Sequence, residues 1–60
     1  MNKILVINST DRMTVVIGPL SLDDAKIGQR EIIKKIPEGS ATVVIDELIT
    51  LEEYMKTLEQ

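Results

Sequence analysis

Apolar residues near the amino terminus of this chain form two almost continuous runs separated by polar residues. The runs are Lys3 to Ile7 and Met13 to Ile17, and the residues between them include Asn, Ser and Asp, which favour turns. The pattern predicts a β-hairpin. Gly18-Pro19 is predicted to end the second strand, because proline has no N–H to donate to a sheet. Continuous runs of this kind are typical of strands covered on both faces, by helices or by a partner subunit.

A helical spacing of apolar residues follows the hairpin. Ser21 is a suitable N-cap, and the spacing predicts a helix from Leu22 to Ile36. Gly28 weakens that helix by about 1 kcal/mol relative to alanine. A second interpretation therefore makes residues 21–28 a loop, with the helix beginning near Gln29. The sequence leaves both open.

The last third of the chain predicts one more strand and one more helix. Ala41 to Ile45 is a continuous apolar run, which favours a central strand buried on both faces. Thr50 and Glu53 have the spacing of a capping box, which predicts an amphipathic helix after it. The apolar stripe of that helix consists of Leu51, Tyr54, Met55 and Leu58.

These elements define an α+β fold with the order β-β-α-β-α. We expect residues 1–60 to form a single compact domain, in which a three-stranded sheet is covered by two helices. If the first helix is a crossover, the third strand lies parallel to the second, and the sheet is mixed.

The length of the chain, 60 residues, limits the size of its core. A domain of this size buries only about 60% of the surface that its unfolded chain exposes. The sequence has no cysteine and no histidine, so disulfides, zinc-thiolate sites and the commonest general base are excluded. Oligomerisation is the remaining way to bury more surface, and we therefore predict a homo-oligomer, most simply a homodimer.

The charge and the amino terminus bear on partners and location. The formal net charge is -3, which disfavours attraction to nucleic acid or to anionic lipid. The first apolar run is far too short for a signal peptide or a membrane span. Together with the absence of cysteine, this predicts a cytoplasmic protein with no membrane partner.

Residues that support catalysis or metal binding are sparse. The carboxylate pairs Asp23-Asp24 and Asp46-Glu47 do not match the spacing of a calcium loop. The three glycines are isolated, which provides no phosphate-binding loop. The serines have neither a histidine base nor a nucleophile elbow. We therefore predict a non-enzymatic protein with no metal and no cofactor.

Two surface patterns are candidates for contact with a partner. Basic residues on the predicted first helix are a candidate contact for an acidic partner: Lys26, Arg30, Lys34 and Lys35. Such a row is also common on a solvated helix face. The apolar stripe of the last helix is a candidate interface, because Tyr and Met are enriched at protein contacts. The sequence leaves open whether the stripe is core or interface.

Our first functional hypothesis is a small protein-binding module, a homodimeric regulator or inhibitor of a larger, unidentified protein. Small acidic proteins without catalytic residues are common among inhibitors encoded by phages or mobile elements. The alternative is a nucleic-acid-associated regulator of the antitoxin or small-repressor type, which would use the basic row against phosphates. No aromatic residue accompanies that row to stack on bases.

Overall fold

The computed structural model of this protein describes residues 1–11 and 13–59. The elements are β1 (Lys3–Ser9), β2 (Thr14–Leu20), α1 (Leu22–Lys35), β3 (Ala41–Glu47) and α2 (Leu51–Leu58). The predicted α+β class and the order β-β-α-β-α are confirmed. The helix α1 begins at Leu22, with the Ser21 hydroxyl accepting a hydrogen bond from the Asp24 amide at 3.1 Å. Residues 22–28 are therefore helical, and the loop interpretation is wrong.

The strand order of the sheet is β2-β1-β3, and both neighbouring pairs are antiparallel. The predicted central position of β3 is therefore wrong, because β1 is central. Since β2 and β3 both run opposite to β1, they run in the same direction as each other, as a crossover through α1 requires. They do not pair, because β1 lies between them, and the predicted mixed sheet is wrong for that reason.

The strand β2 continues through Gly18-Pro19 to Leu20, beyond its predicted end. Its register against β1 shifts between the pairs Leu5↔Ile17 and Lys3↔Leu20. A Cβ atom at Gly18 would lie 2.8 Å from Cγ2 of Ile4, so only glycine fits at this irregularity. Proline is tolerated here because β2 is an edge strand and need not donate to a second neighbour.

The core lies on one face of the sheet, beneath α1. Its buried members are Leu5, Ala25 and Val43. Partly buried residues that pack around them are Ile7, Leu20, Ile32, Ile36 and Ile45. The helix α1 packs on β1 and β3. The alternation of side chains along each strand directs half of the apolar residues to this face.

The helix α2 does not cover the sheet, contrary to the expectation that both helices would. It has no buried residue, and no other element in the described part of the chain packs substantially against it. A connection of three residues after β3 leaves it projecting from the sheet. The radius of gyration is accordingly 13.3 Å, whereas a compact chain of this length has about 10 Å.

Candidate protein-interaction surfaces

The face of the sheet opposite α1 carries four apolar side chains, which we call the open face. Ile4 and Val6 point away from the buried Leu5 side of β1, and the register partners of Val6, which are Val16 on β2 and Val44 on β3, extend the patch. The open face consists of Ile4, Val6, Val16 and Val44. Val16 is 59% exposed and Val44 is 48% exposed. The predicted burial of the strands on both faces is therefore wrong for the isolated chain, because one helix covers one face only.

A side chain of α1 occupies one backbone position on the free edge of β3. The bonds from Thr10 N to Ser40 O and from Leu48 N to Asn2 O show that even-numbered residues of β3 bond to β1. Odd-numbered residues therefore direct their backbone groups to the free edge. The carbonyl of one of them, Val43, accepts a hydrogen bond of 2.7 Å from Nε2 of Gln29. An added strand at this edge would have to displace the Gln29 side chain.

A shallow groove of about 530 Å³ runs between α1 and β3. We call it the basic groove. It is lined by Lys26, Gln29, Arg30, Ile33, Lys34 and Ile45. Its apolar floor comes from the two isoleucines, of which Ile33 is 54% exposed. The cationic side chains form its rim, one turn of α1 apart from each other.

Three of the four predicted basic residues meet at this groove, and the fourth does not. Lys34 lies 3.7 Å from Glu31 in an exposed ion pair. Lys26 and Arg30 form no ion pair with any residue the structure describes. Lys35 lies outside the groove lining. The electrostatic character of the groove is therefore set mainly by Lys26 and Arg30.

The predicted C-terminal helix is present, and its apolar stripe is outside the core of its own chain. The Thr50 hydroxyl accepts from the Glu53 amide at 3.0 Å, which fixes the start of α2. Exposed fractions range from 48% at Met55 to 76% at Leu51. The stripe consists of Leu51, Tyr54, Met55 and Leu58. Of the two interpretations that the sequence left open, core of the same chain is excluded by this geometry.

The turn between β1 and β2 contains a carboxyl group with a lowered pKa, that of Asp11. The Ser9 hydroxyl and, to a lesser degree, the Met13 amide donate hydrogen bonds to Asp11, and these bonds lower the pKa of its carboxyl group. Both bonds stabilise the turn itself.

The described residues include no group of three or more side chains placed to share a metal ion. No helix among them is long and apolar enough to cross a bilayer.

Two parts of these surfaces did not follow from the sequence. The role of Gln29 depends on the position of β3 beside α1, which no local pattern specifies. The position of Ile33 in the groove is only weakly indicated by the sequence, because Ile33 directly follows Ile32 and lies outside the row of apolar residues at helical spacing.

Comparison with known proteins adds no assignment: no family model, curated protein or solved structure matches this chain.

Proposed function

We propose that this chain is a small non-enzymatic protein-binding module, a homodimer that regulates or inhibits a larger protein by occupying its surface. The observation that carries the proposal is the uncovered stripe of α2, which no element among the described residues buries. Fully burying one leucine or methionine side chain is worth about 1.5–3 kcal/mol. The described core has three buried residues, so burial of the stripe would add substantially to the stability of the fold.

The proposal gives the two apolar surfaces different partners. The stripe of α2 joins two copies of the chain, and the open face of each copy remains for the larger protein. Apolar patches on small monomers mark contact sites more often than scattered apolar residues do. We place this activity in the cytoplasm, on the sequence grounds given above, and a phage or mobile element is the origin we favour.

Solution mass tests the self-association. We would measure it by light scattering over a wide concentration range for the wild type and for Tyr54→Glu with Leu58→Glu. We expect a wild-type dimer and a folded monomer for the double variant, because two carboxylates would have to be buried at the interface. A wild type that stays monomeric throughout contradicts the proposed homodimer.

A matched control separates the stripe from the charge change. Lys56→Glu also lowers the net charge by two, and Lys56 lies on the other side of α2 from the stripe. We expect this variant to remain dimeric. Loss of the dimer in both variants would show that net charge, and not the stripe, governs association.

The open face is tested by capture of a partner from extract of the native host. We expect a protein that binds the wild type in stoichiometric amount and is lost with Val16→Glu and Val44→Glu. The control is Leu22→Glu with Ile27→Glu, which changes two exposed apolar residues of α1. Capture that is unaffected by the open-face variant, or lost equally in the control, contradicts this assignment.

The second candidate function is nucleic-acid binding through the basic groove. It is favoured by one observation, the alignment of Lys26, Arg30 and Lys34 along one rim. Phosphate contacts release counterions, so this function requires binding that weakens steeply with salt and is lost in Lys26→Glu with Arg30→Glu. Nucleic-acid binding that survives about 0.5 M salt would exclude this mode.

A further inference from the structure

The basic groove and the helix α2 are complementary surfaces, and each copy of the chain carries both. We infer that α2 of one copy docks in the basic groove of a second copy, which returns its own α2 in the same way. The inference rests on the proposed function, because it requires the homodimer and names the surface that receives the stripe. Four observations support it.

The first observation is charge. The groove rim carries Lys26 and Arg30, which have no ion-pair partner among the described residues. Glu52 of α2 and Glu59, the C-cap of the same helix, stand seven residues apart, which places them on one side of the helix beside Met55. Acidic and basic rows on opposite sides of one contact favour the correct pairing and speed encounter.

The second observation is length. The rim from Lys26 to Lys34 covers eight helical steps, or about 12 Å along α1. The helix α2 has eight residues, which is again about 12 Å. Glu52 and the C-cap residue Glu59 are about 10 Å apart along the helix axis. The acidic row of α2 and the basic rim therefore match in extent.

The third observation is the apolar floor. Ile33 of α1 and Ile45 of β3 line the groove together with the cationic side chains, and the stripe of a docked helix would meet them there. The groove is open to solvent and has a volume of about 530 Å³, which is larger than one apolar side chain. It can therefore receive several apolar side chains of one helix, with Met55 and Tyr54 as the central pair of the stripe.

The fourth observation favours a helix over a strand as the occupant. Gln29 occupies the free edge of β3 at the carbonyl of Val43, with a hydrogen bond of 2.7 Å. A partner that adds a strand needs that carbonyl as an acceptor. A helix needs no backbone hydrogen bond from the groove and leaves Gln29 in place.

Reciprocal docking also closes the assembly. Each copy supplies one α2 and one groove, so two copies related by a two-fold axis satisfy both contacts and leave neither free for a third. The competing arrangement is docking of α2 in the groove of its own chain. The two arrangements contain the same contacts, so solution mass and the mixing of different chains are the measurements that separate them.

Charge reversal on two separate chains provides that mixing experiment. Chain one carries Lys26→Glu with Arg30→Glu, and chain two carries Glu52→Lys with Glu59→Lys. Each chain alone opposes like charges, and we expect its dimerisation to weaken by about tenfold or more. In a mixed dimer both contacts pair opposite charges, so we expect the mixture to form a heterodimer, detected by light scattering and native mass spectrometry.

A control chain addresses net charge. Chain one has a formal net charge of -7, four units below the wild type, and so does Lys3→Glu with Lys35→Glu. Lys3 lies on β1 and Lys35 at the end of α1, and neither residue lines the groove or belongs to α2. We expect the control chain to keep its own dimer and to form no preferred heterodimer with chain two.

The outcomes separate the two proposals. A monomeric wild type overturns both the homodimer and the docking. A dimeric wild type with two charge-reversed chains that still dimerise overturns the docking alone, as does a mixture in which no heterodimer forms. Salt provides a test that needs no variant: the wild-type dimer must weaken as salt rises, and a dimer insensitive to salt overturns the docking.

Discussion

Gly28 of α1 and Leu5 of β1 lie so close together that a Cβ atom on Gly28 would be 3.0 Å from Cδ1 of Leu5. Leu5 is 2% exposed and has little freedom to move away. A glycine in the middle of a helix costs about 1 kcal/mol relative to alanine. The close approach of the helix to the sheet favours glycine at position 28 despite its low helix propensity.

Replacement of Gly28 by alanine tests this contact. Alanine gains about 1 kcal/mol of helix propensity, and overpacking against a buried side chain costs about 1–3 kcal/mol. We expect Gly28→Ala to lower the free energy of unfolding by about 1 kcal/mol in urea denaturation, as the difference between the two effects. Stabilisation by the full propensity gain would contradict a tight contact.

A second substitution shows whether Leu5 is the cause. Leu5→Val shortens the side chain that opposes the new Cβ atom. We expect Gly28→Ala to become stabilising in this background, because the propensity gain remains and the close contact is relieved. Equal effects of Gly28→Ala in both backgrounds would show that the two residues are not coupled.

The two helix caps are expected to differ in their effect on stability. Ser21→Ala should cost about 1 kcal/mol of unfolding free energy, because α1 carries part of the core. Thr50→Ala should hardly change the free energy of unfolding of the monomer. It should lower the helix content of the folded chain, since a short unpacked helix is marginal in water. Urea denaturation and far-ultraviolet circular dichroism measure the two effects. Equal losses of stability would mean that α2 unfolds cooperatively with the sheet.

Gln29 is expected to contribute to stability through the edge of β3. Gln29→Leu leaves the carbonyl of Val43 without its donor, which should cost about 1–2 kcal/mol of unfolding free energy. Glu31→Leu is the matched control on the exposed side of the same helix, and we expect it to change stability by less than about 0.5 kcal/mol. Similar losses in both variants would show that the bond is unimportant.

The pH dependence of the hairpin should reflect Asp11. The Ser9 hydroxyl and the Met13 amide lower the pKa of Asp11, so the folded chain favours its ionised form. The resulting stability is present above the pKa of the unfolded chain and is lost as pH falls through the lower folded value. We expect Ser9→Ala to raise the pKa of Asp11, measured by NMR titration of its carboxyl carbon. An unchanged pKa in this variant would contradict the assignment to Ser9.

Local signals in the sequence predicted the helices well. The caps at Ser21 and Thr50 act within three residues of themselves, and both hydrogen bonds are present. The hairpin followed from a polar turn between two apolar runs in the same way. Element order and class could be predicted because each signal is complete within a short segment.

Relationships between distant segments could not be predicted in this way. The position of β1 between β2 and β3 depends on where α1 returns the chain, and the pairing of Val6 with Val44 joins residues far apart in sequence. The same holds for Gly28 against Leu5. The continuous apolar runs predicted burial on both faces of the sheet, and the single chain buries only one. The uncovered sheet face, like the stripe of α2, is available to other chains.

The most direct test of the account is whether α2 of one copy contacts the body of another. Isotope-filtered NMR on a mixture of labelled and unlabelled wild-type chains detects only contacts between copies. We predict nuclear Overhauser effects from the methyl group of Met55 in one copy to the methyl groups of Ile33 in the other. Absence of any effect between copies, at concentrations where α2 is protected from hydrogen exchange, would contradict the account.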